Sequence, residues 1–399
     1  SNATFNDCTE GILFRDGSKG LSVLNNTLNN TKLFSLELRQ QSTNLGDANI
    51  NGNQIIAGAS TIRSMLRVTD FTGSGKATIN NNTVTLPTGG PIGQNGIEVF
   101  GNVANGGLEL DNNDVIYSGG TYGGMLVDKS YTNCVISNNT VSGAGAGMPF
   151  HILTSNCGQN PDVPSMVLPN LHILSNTVGG GVSFGTGKGI SIKNCSANLL
   201  LCCNNLTNSM AGLYITGTLG SAEIFTTTFG NHPFAALHYD QVISTGAPQI
   251  LHGNDWSAAS GMWDARFDGS PAVASVTNYV VSNTLLPNGL TKVFVSNSNP
   301  GIWFSIVQAA EPTCATASGC NDDGEKSGDR EGTRVETGVR QVLEIYPNPA
   351  NQVATIRFPE SAYDTQVTLL DVVGRVVLQH TVPGGITQVV LPVADLMQG

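Results

Sequence analysis

Nine times between residues 23 and 256 the chain repeats one short phrase, and a phrase repeated at that interval restricts the fold to a stack of similar units. It consists of an apolar residue, two spacers, a pivot, one spacer and a second apolar residue. The pivots are Asn26, Asn53, Asn82, Asn113, Asn139, Asn176, Asn204, Thr227 and Asn254. Three residues before them stand Val23, Ile50, Ile79, Leu110, Ile136, Ile173, Leu201, Ile224 and Leu251. Two residues after them stand Leu28, Ile55, Val84, Val115, Val141, Val178, Leu206, Phe229 and Trp256. No column holds a charged residue, and successive pivots lie 23 to 37 residues apart. Units of this length cannot bury an apolar face alone, so each buries it against its neighbours, as in a solenoid.

The finer period selects the kind of solenoid. Five residues before the pivot stand Leu21, Ala48, Ala77, Leu108, Cys134, Leu171, Leu199, Ala222 and Gln249, all but the last apolar or small. Alternation between these and the next apolar column is the period of a strand. A second strand follows a glycine in several units, as in Gly96-Ile97-Glu98-Val99, Gly124-Met125-Leu126-Val127 and Gly212-Leu213-Tyr214-Ile215. The expected fold is all-β: a right-handed parallel β-helix of about nine to ten coils, stacked about 4.8 Å apart. Asn tolerates the left-handed conformation at a sharp corner, which predicts that the pivots take it. Stacked pivots can also form a hydrogen-bonded amide ladder. Asn-x-Thr triplets such as Asn138-Asn139-Thr140 would fit glycan acceptors too, but Asn recurs at Asn53 and Asn254 without the Thr. Asn2-Ala3-Thr4-Phe5 matches the end of a phrase, so the chain is expected to open in mid-coil.

Composition narrows the partners. Charged residues make up 12% of the chain and the formal net charge is −11; the charged share is about half the usual one. No basic tract is long enough to follow a phosphate backbone, which argues against nucleic acid. No run of about 18 apolar residues marks a membrane-spanning helix. Eight cysteines in so sparsely charged a chain point to an oxidising, extracellular setting. Cys314 and Cys320 are spaced for a local disulfide, and of the adjacent Cys202 and Cys203 only one can face the interior.

Four regions follow. Residues 1–256 carry the coils. Residues 257–310 lose the pivot but keep strand-like runs and Trp263 and Trp303, as expected of an aromatic cap on an open β-helix end. Residues 311–341 hold the expected local disulfide and a charged linker, with ten charged residues between 321 and 340. From 342 to 399 the Asn-rich texture is gone, since 37 of the 40 Asn precede residue 300.

The last region carries the most specific motifs. It opens on Tyr346-Pro347-Asn348-Pro349-Ala350, carries Asp371-x-x-Gly374-Arg375 at a turn, and closes on Leu396-x-x-Gly399. Between them run alternating strands of the kind that build a small antiparallel, immunoglobulin-like sandwich. In these three ordered motifs the segment closely resembles the C-terminal sorting domain of type IX secretion cargo in Bacteroidota. That resemblance implies handling by the type IX machinery, export across the outer membrane, removal of the domain, and release or attachment at the cell surface. It also implies a final strand beyond Gly399. The coil region is similar, more weakly, to secreted repeat proteins of the same bacteria, and that likeness implies no activity.

Enzymes of pectin-lyase and polygalacturonase type use β-helices, but the polygalacturonase signatures are absent from the coils, and the sole Asp-Asp, Asp322-Asp323, falls in the linker. Two acidic or mixed groups remain. Glu98, Glu109, Asp111 and Asp114 read as surface carboxylates. His238, Asp240, His252 and Asp255 form a weaker candidate site, whose two histidines, if neighbours across adjacent coils, read first as a structural hydrogen-bonding pair. No cofactor is implied, and calcium would need clustered carboxylates. The favoured reading is a non-catalytic structural or carbohydrate-binding protein, with Tyr117, Tyr122, Tyr131 and Tyr214 as stacking residues for polysaccharide. The alternative is a divergent polysaccharide lyase or glycoside hydrolase.

Overall fold

The structure is a computed structural model. It describes residues 2–314 except 9, 16–19, 32–33, 40–45, 59–63, 73–74, 88–94, 103–105, 118–122, 144–148, 159–167, 181–186, 221, 243–248, 251 and 287, and it describes the strands and adjoining residues at 344–346, 353–357, 365–370, 376–383 and 386–392. The chain divides into two compact units, residues 1–324 and 325–399.

The first unit is a β-solenoid of about eight turns built from three parallel sheets. The pre-pivot sheet stacks eight strands from Leu21–Leu24 to Ala222–Phe225. The post-pivot sheet stacks nine, from Thr4–Asn6 to Thr228–Phe229. The third, called the long sheet below, stacks eleven, from Glu10–Arg15 to Val293–Val295. The repeat columns are the register of these sheets. Ala77 pairs with Leu108, Leu108 with Cys134, Ile79 with Leu110 and Leu110 with Ile136, while Val84 pairs with Val115 and Val115 with Val141. Each described member of the three apolar columns is buried. Gln249, the polar exception, is buried as well, and its amide donates to Ala222 O at 2.7 Å and accepts from Ile224 N at 2.7 Å. Phe5 pairs with Leu28, which puts Ala3 at the pivot of the first turn.

The amide ladder is present. From Asn26 to Asn204, each Asn Nδ2 donates to Oδ1 of the Asn in the next turn at 2.9–3.0 Å. The same Oδ1 also accepts the previous pivot's backbone N–H. The second Nδ2 hydrogen runs back to the carbonyl of the apolar residue in the turn before, as from Asn139 to Leu110 at 2.9 Å and from Asn176 to Ile136 at 2.9 Å. Burying an amide without partners costs a few kcal/mol, and this arrangement removes that cost at every turn.

The corner conformation falls one residue earlier than predicted. Positive φ belongs to Asn25, Gly52, Asn81, Asn112, Asn138, Ser175, Cys203, Thr226 and Gly253, not to the pivots. A buried amide must point into the stack, so the residue before it makes the turn. Doublets such as Asn81-Asn82 and Asn138-Asn139 therefore divide two tasks between two like residues. Glycines opening the long-sheet strands answer a different constraint: a Cβ at Gly124 would meet His151 O at 2.2 Å and Val141 Cγ1 at 2.4 Å.

The parallel architecture continues past Trp256. Trp263–Asp268 and Val293–Val295 extend the long sheet, and Gln249–Ile250, Tyr279–Ser282 and Phe304–Val307 form a further parallel sheet. Among them the interior fills with rings. Trp303 meets Tyr239, Phe267, Tyr279 and Phe304 edge-on at 4.9–5.8 Å, Tyr279 stacks on Phe304 at 4.8 Å, and Trp256 stacks on Phe229 at 5.2 Å.

Cys314 is not disulfide-bonded, whereas Cys202 is. The expected local Cys314–Cys320 bridge is thereby corrected: Cys314 Sγ instead donates to Thr226 O at 3.5 Å, and Cys320 lies outside the described residues. Of the adjacent pair, Cys202 is buried and Cys203 half-buried. The charged linker 321–340 also lies outside the described residues.

The second unit pairs Val353–Arg357 with Glu344–Tyr346 and Gln388–Pro392, and Thr365–Leu370 with Val376–Val382, all antiparallel. Ile356, Val382, Val389 and Leu391 form its apolar cluster. Tyr346 pairs with Thr355. Pro347, Asn348, Pro349, Asp371, Gly374, Arg375 and Gly399 fall outside the described residues.

Candidate functional site

The outward faces of the long-sheet strands align in a row that the sequence does not announce. Glu37 pairs with Arg67 and Arg67 with Glu98. Further along, Tyr214 pairs with His238, His238 with Arg266 and Arg266 with Phe294. Each is flanked in its strand by buried apolar residues, so the side chains between them must point outward.

The early part of the row is an ion-pair stack. Arg67 lies 3.4 Å from Glu37 and 3.0 Å from Glu98. Burial, the largest influence, raises the Glu98 carboxyl, but Ser64, Asn95 and Arg67 together hold it below the ordinary range. Glu109 pairs with Lys76 on the pre-pivot sheet, and Asp111 accepts from Ser137 and Asn138 at 2.8 Å. Asp114 begins a post-pivot strand. These four carboxylates thus spread over three sheets and form no common site.

The late part of the row is different. Arg266 lies between two rings, its guanidinium carbon 5.0 Å from the Phe234 centroid and 4.7 Å from that of Phe294, and it bonds Asp268 through two nitrogens. Asp268 also receives His238 Nε2 at 3.0 Å and Ser296 Oγ at 3.3 Å. Tyr214 donates its hydroxyl to Asp240, with Lys188 Nζ 3.6 Å from its ring centroid. Tyr214, Phe234, Trp263, Phe294 and Arg266 are all half-buried, so each keeps part of its surface exposed. Burial lowers the His238 pKa despite Asp268 and Asp240. Burial and the Asp240 contact push the Tyr214 hydroxyl up to about 12. Burial also raises Asp268, but Arg266 and His238 outweigh it and keep the group ionised at lower pH than usual.

The predicted histidine pair does not form. His238 is on the long sheet, in register with Tyr214 and Arg266. His252 stacks on Phe225 at 3.9 Å and meets Gln249 Oε1 at 3.1 Å, beyond a pre-pivot strand. Asp240 joins His238 through Tyr214, whereas Asp255 caps Ser257 N in the next corner. The partners one coil on, Arg266 and Asp268, were missed because they lie beyond the last pivot. Among the tyrosines, Tyr117 is buried against His151 and cannot stack a sugar. Tyr122 is outside the described residues, and Tyr131 sits at a corner with its N–H on Asn102 O. Of the three described tyrosines, Tyr214 joins the cluster. Among the described residues, no group of three His, Cys, Asp or Glu is placed to hold a metal ion, and no helix is long and apolar enough to cross a membrane.

Residues 344–399 match the family described as the secretion system C-terminal sorting domain. The protein carries a type IX secretion sorting domain. It is therefore exported, to the cell surface or the extracellular space. No curated protein and no solved structure matches the chain.

Proposed function

We propose that the solenoid is a non-catalytic glycan-binding element displayed outside the cell, and that the late long-sheet row is its binding face. The carrying observation is the cluster of half-buried rings, Tyr214, Phe234, Trp263 and Phe294, interleaved with Arg266, Asp268 and Asp240 on and beside the long sheet. Rings present apolar faces for the C–H faces of a sugar, and fixed charged groups beside them orient its hydroxyls. Coils repeat along the axis, so an extended polymer lying on the row meets a new side chain at each step of about 4.8 Å. The chain's charge of −11 favours a neutral polymer over an acidic one.

A second reading has one observation behind it. Tyr214, His238, Arg266 and Lys188 converge as the acid–base and charge-neutralising groups of a polysaccharide lyase would. Against it, Tyr214 is held protonated, and Arg266 and His238 are both engaged by Asp268.

Incubating the chain with neutral and acidic polysaccharides, with and without calcium, separates the readings by retention on affinity gels and by release of new sugar ends. Retention without new ends is the expected result. Cleavage would replace the binding role with catalysis, and free migration on every polymer would leave a structural surface element.

A further inference from the structure

The corner where the amide ladder stops carries a pair of thiols that nothing described so far uses. Cys203 precedes the pivot Asn204 and takes φ +56°; Thr226 precedes the pivot Thr227 in the next turn, and Gly253 precedes Asn254 in the one after. Along this column runs the segment 309–314. Glu311 binds it down at two points, accepting Gly253 N at 2.6 Å and Ser282 N. A Cβ at Gly253 would meet Pro312 O at 2.2 Å, so the segment lies directly on the corner. Its last described residue, Cys314, donates to Thr226 O at 3.5 Å, while Cys203 Sγ lies 3.1 Å from Thr226 Oγ1. The two thiols thus converge on one residue, Thr226, from neighbouring positions.

We propose that Cys203 and Cys314 form a disulfide in the exported protein, clamping the segment 309–314 over the corner of the last regular turns. Two further observations support this. Cys202, the adjacent residue, is already disulfide-bonded, so this corner is one at which the chain takes oxidation. The sorting domain sends the chain to a compartment in which disulfides persist. Disulfide geometry requires the two Cβ atoms to lie close together, and both thiols already reach the same residue, Thr226.

The reaction is thiol–disulfide exchange with an external disulfide, either oxidised glutathione or a dithiol–disulfide oxidase. Cys314 is exposed and meets the oxidant first. Its sulfur attacks one oxidant sulfur, which releases the other as a thiol. Cys203 then attacks the Cys314 sulfur and releases the second thiol. One S–S bond forms, one breaks, and the two protein protons leave with the two oxidant thiols.

The test is differential alkylation of the full chain folded in a glutathione redox buffer. Free thiols are blocked with iodoacetamide, the protein is reduced, newly freed thiols are labelled with N-ethylmaleimide, and each site is located by fragmentation mass spectrometry. The expected result is maleimide on Cys203 and Cys314 as well as Cys202. In Cys314→Ser, Cys203 should move to the iodoacetamide set while Cys202 stays in the maleimide set. Iodoacetamide on both Cys203 and Cys314 in the unaltered chain would overturn the proposal without reliance on any variant. So would a Cys203 that remains disulfide-bonded in Cys314→Ser.

Discussion

The turns up to Asn204 and the turns beyond it close the same three-sheet coil by different means. In the first group one polar column is self-sufficient: each Asn supplies the acceptor for the last and a donor to the next. Thr227 ends that series. It keeps the backbone bond to Asn254 Oδ1 at 3.1 Å, but its hydroxyl turns back to Phe225 O. Beyond it the interior is held by rings, from Phe229 and Trp256 to Trp303 and Phe304. The outer faces change at nearly the same place, from the Glu37–Arg67–Glu98 ion pairs to the Tyr214–His238–Arg266–Phe294 row. Where repetition carries the stability, surface positions remain plain; where it lapses, size and chemistry diversify both inside and out.

The comparison can be broken at its strongest point by Ile136→Asp. Ile136 is fully buried between Leu110 and Ile173 in the pre-pivot sheet. An unpaired carboxylate there should cost about 5 kcal/mol or more and abolish cooperative unfolding. An unchanged melting curve would contradict the register. In the ring-filled end, Trp303→Ala should cost about 3–5 kcal/mol. A denaturant midpoint within error of the parent would mean that the rings do not close the interior.

The pH dependence probes the first region. His151 is buried beside Tyr117, and burial brings its pKa down to about 4 from 6.5. The folded state thus refuses a proton that the unfolded chain accepts. Stability is complete above about pH 6.5, and it falls by about 3 kcal/mol as pH drops toward 4. His151→Gln should flatten that slope in denaturant titrations at several pH values; an equal slope would remove the histidine from the explanation. The smallest effects concern the ladder itself. Asn139→Ala strands two donors of Asn113, for about 2–3 kcal/mol of destabilisation, whereas Thr227→Asn restores the missing rung for about 1 kcal/mol of stabilisation. Both are read as midpoint shifts of opposite sign, and a destabilised Thr227→Asn would show that Thr is required there for another reason.

Much of the fold was legible because burial acts on every turn alike. The apolar columns and the Asn pivots repeat despite loops of unequal length, since each must meet its counterpart in the next turn. The left-handed position escaped by one residue because Asn suits both tasks, and the doublets carry no mark of which does which. The outer row was not legible. Tyr214, His238 and Arg266 share no residue type, and Arg266, placed by loop length, falls after the last pivot. Cys203 was read with Cys202 and not with Cys314, which lies 111 residues away; only the path of the segment 309–314 brings them together.

The account places function on the outer face of the ring-filled end while stability resides inside, so one variant addresses it most directly. Tyr214→Ala combined with Phe294→Ala removes two half-buried rings from the outer row and leaves the interior columns intact. Affinity electrophoresis on the neutral polysaccharide that retains the parent chain, together with a melting curve, is the deciding measurement. Loss of retention with a melting temperature close to the parent's is the predicted result. Undiminished retention by a folded double variant would contradict the assignment of the binding face.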